Sequence, residues 1–315
     1  MSLQRMLGID IGGTKIALAL VAEDGTLLRQ ERYASQMAPG EDFVQKLCTQ
    51  VDHLLAGEIP GGIGIGIKGL VAVDHRTIIH SSVLENMMPL DLCGAMGKRY
   101  GIPCYLDNDV HAAATAELYF GHGRAIRDFT YVNLGTGLAV GVVAGGQLVC
   151  GTHNMAGEWG TSIDLRFLCG EEYQLETLVS GGGLVSEAQR LLPSYPAGML
   201  AGRMLDGETI TGKTVLDAHR TGDELAAVVV DHFLEALSRT LVNLTLLLDP
   251  AMFVLGGGTV SDGYLLPLIR RRMEQRYRIL QLDQWVTPIA LTALGADDVG
   301  VLGAASICLN AMDMK

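Results

Sequence analysis

Two aspartates stand where this chain could handle a phosphate and a hydroxyl. Asp10 lies beside the small-residue turn Gly12-Gly13-Thr14-Lys15, and Asp109 closes Asp107-Asn108-Asp109 at the head of an alanine-rich stretch. A glycine turn lets backbone N–H groups approach an anion that side chains would otherwise block. A carboxylate beside such a turn would face triphosphate unless a cation intervened. Asp10 is therefore a candidate holder of Mg²⁺ through water, since that ion dehydrates reluctantly; the alternative is an Asp that stabilises the turn. Asp109 could accept a proton from a hydroxyl. On spacing alone, Asp107 or Asp109 could equally cap the helix that begins near Val110.

The turn recurs. Leu7 to Thr14 enters a hairpin that returns through Ile16 to Val21 and turns again at Asp24-Gly25. Tyr131 to Leu134 enters Gly135-Thr136-Gly137, returns through Leu138 to Val143 and turns at Gly145-Gly146. Two such turns facing each other would grip a polyphosphate, which points to a nucleotide-dependent phosphotransferase. Thr14 and Thr136 could bond phosphate oxygens, and Lys15 could add charge.

Around these turns the chain alternates strands and helices. Helical spacing covers Glu41 to Leu55, a buried strand Ile63 to Ile67, a helix Asp91 to Tyr100, a strand Cys104 to Leu106 and a helix Val110 to Phe120. The second half follows an irregular segment, Gly151 to Gly170, with a helical insertion. A helix opens at Thr221-Gly-Asp-Glu224, which has capping-box spacing. Then come a strand Met252 to Leu255, the loop Gly256-Gly257-Gly258-Thr259, a strand near Ile289 to Ala293, and a last helix from about Gly300. Each half reads βββαβα, predicting an α/β fold of two domains, residues 1–115 and 116–299. The helix 300–315 is expected to pack back on the first, and the cleft between halves is the default ligand site.

The chain of 315 residues is 49% hydrophobic and 18% charged, enough for large buried cores, and its 40 glycines cluster at strand ends as turns and ligand loops. A net charge of −12 argues against nucleic acid or an anionic membrane as partner. Six cysteines without paired spacing fit reduced thiols in a cytoplasmic protein. No signal peptide is expected, because the first strand begins within a few residues of Met1, and no apolar run is long enough for a membrane span.

In this order the motifs resemble the ROK family of sugar kinases, within the actin-like ATPase superfamily, from about residue 6 to residue 309. Asp10-Ile-Gly-Gly-Thr14-Lys15 and Leu134-Gly-Thr-Gly137 resemble its two phosphate loops, and Leu255-Gly-Gly-Gly258 its adenosine loop. Asp107-Asn108-Asp109 resembles its catalytic motif, and Gly151 to Gly160 its sugar segment. The resemblance implies an actin-like (ribonuclease H-like) fold, with Asp109 as general base. It implies sugar contacts from Asn108, Asp109, Glu158, Glu176, Thr161 and Asn86. Without it, Glu176 reads as an ordinary exposed helix residue.

The chain departs from the family at its zinc motif. Thr161 stands where relatives carry histidine, and of three cysteines only Cys169 remains, with Tyr173 and Gln174 at the matching places. One soft ligand cannot build a tetrahedral zinc site, so no zinc is expected. Lys68 replaces a usual proline and could meet an anionic substrate group or lie in solvent. His111 replaces asparagine and reads as a packed or capping residue.

The implied activity is transfer of the γ-phosphoryl group of ATP, with Mg²⁺, to the 6-hydroxyl of a hexose. Alternatives are an N-acetylhexosamine kinase and an inactive kinase-like sugar sensor; polyphosphate in place of ATP stays open. A repressor is disfavoured, because the repressors of the family carry a DNA-binding domain before the first loop. A cytoplasmic homodimer binding a small-molecule sugar is the expected assembly.

Overall fold

The computed structural model describes residues 5–36, 42–84, 87–166 and 171–313. The chain divides into a first unit of residues 1–127, 141–156 and 293–315, and a second of residues 128–140 and 157–292. The first is built on strands β1 (Arg5–Ile11), β2 (Lys15–Ala22) and β3 (Leu27–Ala34), helix α1 (Phe43–Leu55) and strand β4 (Gly62–Ile67). Short strands β5 (Leu70–Val71), β6 (Thr77–His80) and β7 (Leu90–Asp91) follow, then α2 (Leu92–Tyr100), β8 (Cys104–Asn108) and α3 (Asp109–Phe120). The main sheet has the order β3-β2-β1-β4-β8, with β1, β4 and β8 parallel and the β1–β2–β3 pairs antiparallel. Strands β5 to β7 form a separate three-stranded sheet; pieces of two to four residues are too short for a periodic signal in sequence.

Strand alternation sorts the two faces by size. Ile16, Leu18 and Leu20 of β2, with Leu7, Ile9 and Ile11 of β1 and Ile63, Ile65 and Ile67 of β4, pack with α1 and α2. The other face carries Ala17 and Ala19, Gly8 of β1 and Gly62, Gly64 and Gly66 of β4, and there the last helix, α9 (Val299–Asp313), lies directly on the sheet. A Cβ on Gly64 would stand 1.8 Å from the Ala304 carbonyl oxygen, and one on Gly8 2.2 Å from that of Val301. Backbone thus meets backbone. At Gly66 an added Cβ would find only the Ala112 and Ala304 methyls, at 3.4 and 3.9 Å. Gly64→Ala is therefore expected to cost about 3 kcal/mol, while Gly66→Ala stays within about 1 kcal/mol of wild type. Urea unfolding of both variants checks this; equal effects would refute the close-approach account.

The second unit contains β9 (Phe129–Leu134) and opens β10 (Leu138–Ala144), which continues to β11 (Gln147–Leu148). Strands β12 (Ile163–Arg166) and β13 (Glu171–Gln174) pair antiparallel, so the segment expected to be irregular holds a strand. Helices α4 (Gly181–Leu191), α5 (Met199–Leu205) and α6 (Gly212–Arg220) form the helical insertion before α7 (Glu224–Leu248). Then come β14 (Met252–Gly256), α8 (Leu265–Ile279) and β15 (Ile289–Leu291), giving the sheet order β11-β10-β9-β14-β15. The structure is thus α/β, with two five-stranded mixed sheets.

The capping box expected at Thr221–Glu224 does not form. Asp223 is the N-cap, its carboxylate accepting from Ala226 N–H, while the Thr221 hydroxyl turns back to the Ala218 carbonyl at the end of α6. The short Asp side chain wins because it already sits next to the first helical residue. A capping box does form one helix earlier, between Thr211 and Thr214.

Candidate active site

The parallel strands of the first unit carry its chemistry at their C-terminal ends, where ligands bind in sheets of this kind. Asp10 pairs in register with Gly66, and Gly66 with Asp107; one step on, Ile11 pairs with Ile67 and Ile67 with Asn108. The next positions are the first glycine turn after β1, Lys68 after β4 and Asp109 after β8. In the turn Gly12 N–H bonds to the Lys15 carbonyl, Ser35 ties down Gly13 and Thr14, and Gly13 and Thr14 stand exposed at the tip. Lys15 faces Asp297 in an exposed ion pair at 3.8 Å.

Helix α3 is capped by neither aspartate. Its N-cap is Asn108, whose Oδ1 accepts from His111 N–H at 2.7 Å. Asp109, the first helical residue, is thereby released from capping. That bond takes one acceptor site of Asn108 Oδ1, and its amide N–H groups remain to offer a ligand.

Asp109 is partly buried, and loss of water raises its carboxyl above the usual range, with the nearby Lys68 ammonium pulling the other way. Burial likewise pushes Asp10 up to about 6, and the charge of Asp109 pushes in the same direction, against Lys15. A raised pair of neighbouring acids is the arrangement expected of a site that meets a cation and a proton. Lys68→Ala is expected to raise the Asp109 carboxyl further, and with it any acid limb of kcat/KM that Asp109 sets, because the ammonium that favours its ionised form is gone. A pH–rate profile that does not move would exclude Lys68 from that influence.

Asp107 does something else. It is 3% exposed, and its Oδ1 accepts from Asn108 N–H, His111 Nδ1 and Asn154 Nδ2 at 2.8, 3.0 and 3.1 Å. Burial alone would raise Asp107, but the bonds from His111 and His75 overcome it and hold the carboxyl far below its usual range. His111 Nε2 reaches the Ala156 carbonyl at 2.8 Å, so both ring nitrogens face acceptors, and the residue packs as expected. Nothing in the sequence singles out His75, Cys150 or Asn154. They are 32 to 47 residues from Asp107, and no spacing rule joins them.

In the second unit Gly135 N–H bonds to the Gly137 carbonyl, and the turn is braced from two sides. Gly181 and Gly182, at the start of α4, donate to the Gly135 and Thr136 carbonyls, and the Thr259 hydroxyl also reaches the Gly135 carbonyl. Gly257 adopts φ +89° and lies so close that a Cβ would stand 2.4 Å from Leu134 backbone. The second glycine turn and the loop Gly256-Gly257-Gly258 are thus one structure.

Glu176 is not an exposed helix residue. It lies partly buried in a single 3-10 turn, with Oε2 accepting from Leu138 N–H at 3.4 Å and a Cβ on Gly137 placed 2.7 Å from it. Glu158 is partly buried, and its carbonyl accepts from the exposed Thr161 hydroxyl at 2.8 Å. Asn86 and Cys169 lie outside the described residues.

The sequence matches the ROK family over residues 6–311, and the chain belongs to that family. It is 31% identical over 314 residues to the glucokinase of Streptomyces coelicolor, covering 96% of each chain. It is 27% identical to the N-acetyl-D-glucosamine kinase of Pectobacterium carotovorum, over 96% of this chain and 98% of that one. A crystal structure of a ROK family glucokinase from Streptomyces griseus, in complex with glucose and AMPPNP, superposes with a TM-score of 0.74 at 29% identity, covering 96% and 98% of the two chains. The architecture is accordingly the actin-like ATPase fold.

Proposed function

We propose that this ROK-family carbohydrate kinase transfers the γ-phosphoryl group of ATP to the 6-hydroxyl of a hexose. The observation that carries the reading is a desolvated, uncapped Asp109 beside a second raised carboxylate, at the strand ends that also bear the phosphate turn. Asp109 accepts the proton of the attacking hydroxyl; that oxygen bonds to the γ-phosphorus as the bond to the β-phosphate oxygen breaks, and ADP leaves. N–H groups of the first turn and of Gly135 to Gly137 receive phosphate oxygens, and the loop Gly256 to Gly258 receives the adenosine. Asn108 donates to the sugar, while Glu158 and Glu176 accept from its hydroxyls.

Asp10 fits Mg²⁺, because two neighbouring carboxylates raised by burial gain from a cation. The ion would neutralise charge on the phosphates. Catalysis by this chain is supported by what is intact: Asp10, Asp109 and three glycine loops. Among the described residues no helix is long and apolar enough to cross a membrane. A homodimer in the cytoplasm is the proposed working form, checked by light scattering.

A coupled assay of ADP release decides the substrate, with glucose, mannose, N-acetylglucosamine, N-acetylmannosamine, acidic and β-linked sugars as acceptors. Turnover fastest with a neutral hexose supports the reading. Preference for an N-acetylated sugar replaces it with the amino-sugar alternative, and no turnover with any acceptor defeats it in favour of a sensor.

A further inference from the structure

Around Asp107, two residues before Asp109 in the first unit, three different metal-binding side chains converge from three separate segments. His75 comes from the turn between β5 and β6, Asp107 from β8 and Cys150 from the loop after β11, and one donor atom of each lies within 4.8 Å of the other two. Among the described residues this is the one such group. We propose that His75, Asp107 and Cys150 form a binding site for a borderline divalent ion of the zinc class, separate from the Mg²⁺ chemistry at Asp10.

The donor set suits that ion: one imidazole, one carboxylate and one thiolate, with a fourth position for water. Spacing agrees as well. His75 Nδ1 stands 3.3 Å from Asp107 Oδ2, long for a charge-assisted hydrogen bond. A tetrahedral ion with ordinary zinc bonds to nitrogen and oxygen separates those atoms by about 3.3–3.5 Å.

The surroundings are those of a ligand, not of a bare ion pair. Oδ1 of Asp107 is engaged by Asn108 N–H, His111 and Asn154, which fixes the carboxylate plane and leaves Oδ2, faced by the His75 ring nitrogen, as the ligand oxygen. His111 and Asn154 are then positioning residues. Asn154 supplies an independent sign. It is 3% exposed; its amide nitrogen donates to Asp107 and to the Val71 carbonyl, yet its Oδ1 has no donor. A buried acceptor left unpaired is costly, and water on an ion held beside it is a fitting donor. With His75 and Cys150 partly exposed, the ion has a way in from solvent.

This site is distinct from the family's zinc motif, whose positions here, from Thr161 to Gln174, hold a single cysteine. The expectation of no zinc, drawn from that segment, covers the whole protein, and the donor set around Asp107 runs against it. Binding requires loss of both the proton on the ligating His75 nitrogen and the Cys150 thiol proton to solvent, so affinity falls as pH is lowered.

The test is a titration of chelator-treated full-length protein with Co²⁺, then Zn²⁺, in excess Mg²⁺ so that oxygen-only sites stay occupied. Expected are one Co²⁺ per chain, the visible bands of a four-coordinate ion and a thiolate-to-cobalt charge-transfer band, all displaced by Zn²⁺. Cys150→Ser should abolish the charge-transfer band and weaken binding more than about 100-fold; His111→Asn should weaken it about 10- to 100-fold. Should a variant fail to fold, thiol labelling of wild type decides: Zn²⁺ must protect Cys150 from alkylation. Binding below one equivalent, a charge-transfer band retained in Cys150→Ser, or a Cys150 alkylated equally with and without Zn²⁺ would overturn the assignment.

Discussion

Asp109→Asn is expected to lower kcat by at least about 10²- to 10⁴-fold while leaving sugar binding measurable by calorimetry. The substitution keeps the shape of the side chain and removes only its ability to take a proton. It spares the helix: Asn108 caps α3 through His111 N–H, so the start of that helix does not depend on the Asp109 carboxylate. It also removes a charge that burial disfavours, so thermal stability should hold or rise. For the wild type, the same burial sets the pH dependence. The folded carboxyl is raised, so it stays protonated to a higher pH than in the unfolded chain, and kcat/KM falls as pH is lowered through that raised value. The variant must lose this acid limb together with its turnover. Substantial residual transfer, or an unchanged acid limb in the activity that remains, would remove Asp109 from the role of base.

How far the sequence discloses this site depends on how local each part is. The two glycine turns are legible because glycine placement, small residues and flanking apolar strands lie close together along the chain. Asp10 and Asp109 are legible as candidates because both stand at strand ends. The role of Asp109 is not: spacing alone divides it evenly between proton acceptor and helix cap, and the bond from His111 N–H to Asn108 assigns the cap elsewhere. Glu176 shows the same limit from the other side. It reads as an exposed helix residue, yet a 3-10 turn folds it against Gly137 and Leu138, the latter 38 residues away in sequence. At Thr221 the pattern is present and the partner differs, because two helices abut there: the hydroxyl turns to the end of α6 while the Asp223 carboxylate caps α7. The group around Asp107 lies beyond reach altogether. His75, Asn154 and Cys150 meet it through sheet order and loop path, which no periodicity encodes.

Asp10→Asn should make the protein both more stable and less active. Burial raises the Asp10 carboxyl from 3.8 to about 6 in the folded state. Between those values the folded chain binds a proton that the unfolded chain has released, so stability falls as pH rises through the window. Above it the ionised carboxylate costs about 3 kcal/mol, since each tenfold weakening of the acid on folding is worth roughly 1.4 kcal/mol. The N-terminus of α9 offsets part of that cost already: Gly300 comes so close that a Cβ there would stand 2.2 Å from Asp10 Oδ2, and a helix N-terminus favours an anion. Asparagine removes the remaining penalty. The expected gain at about pH 7.5 is up to about 3 kcal/mol, shrinking towards zero as pH falls through roughly 6 to 4. Activity should drop about 10²-fold or more with a steeper Mg²⁺ requirement, since a ligand for the cation is lost. Urea unfolding across that pH range, with and without Mg²⁺, reads both effects. Mg²⁺ should stabilise the wild type and not the variant. A variant less stable than wild type at the upper end of the range, or a gain that persists unchanged at its acid end, would mean that Asp10 is a structural turn residue whose charge the fold uses.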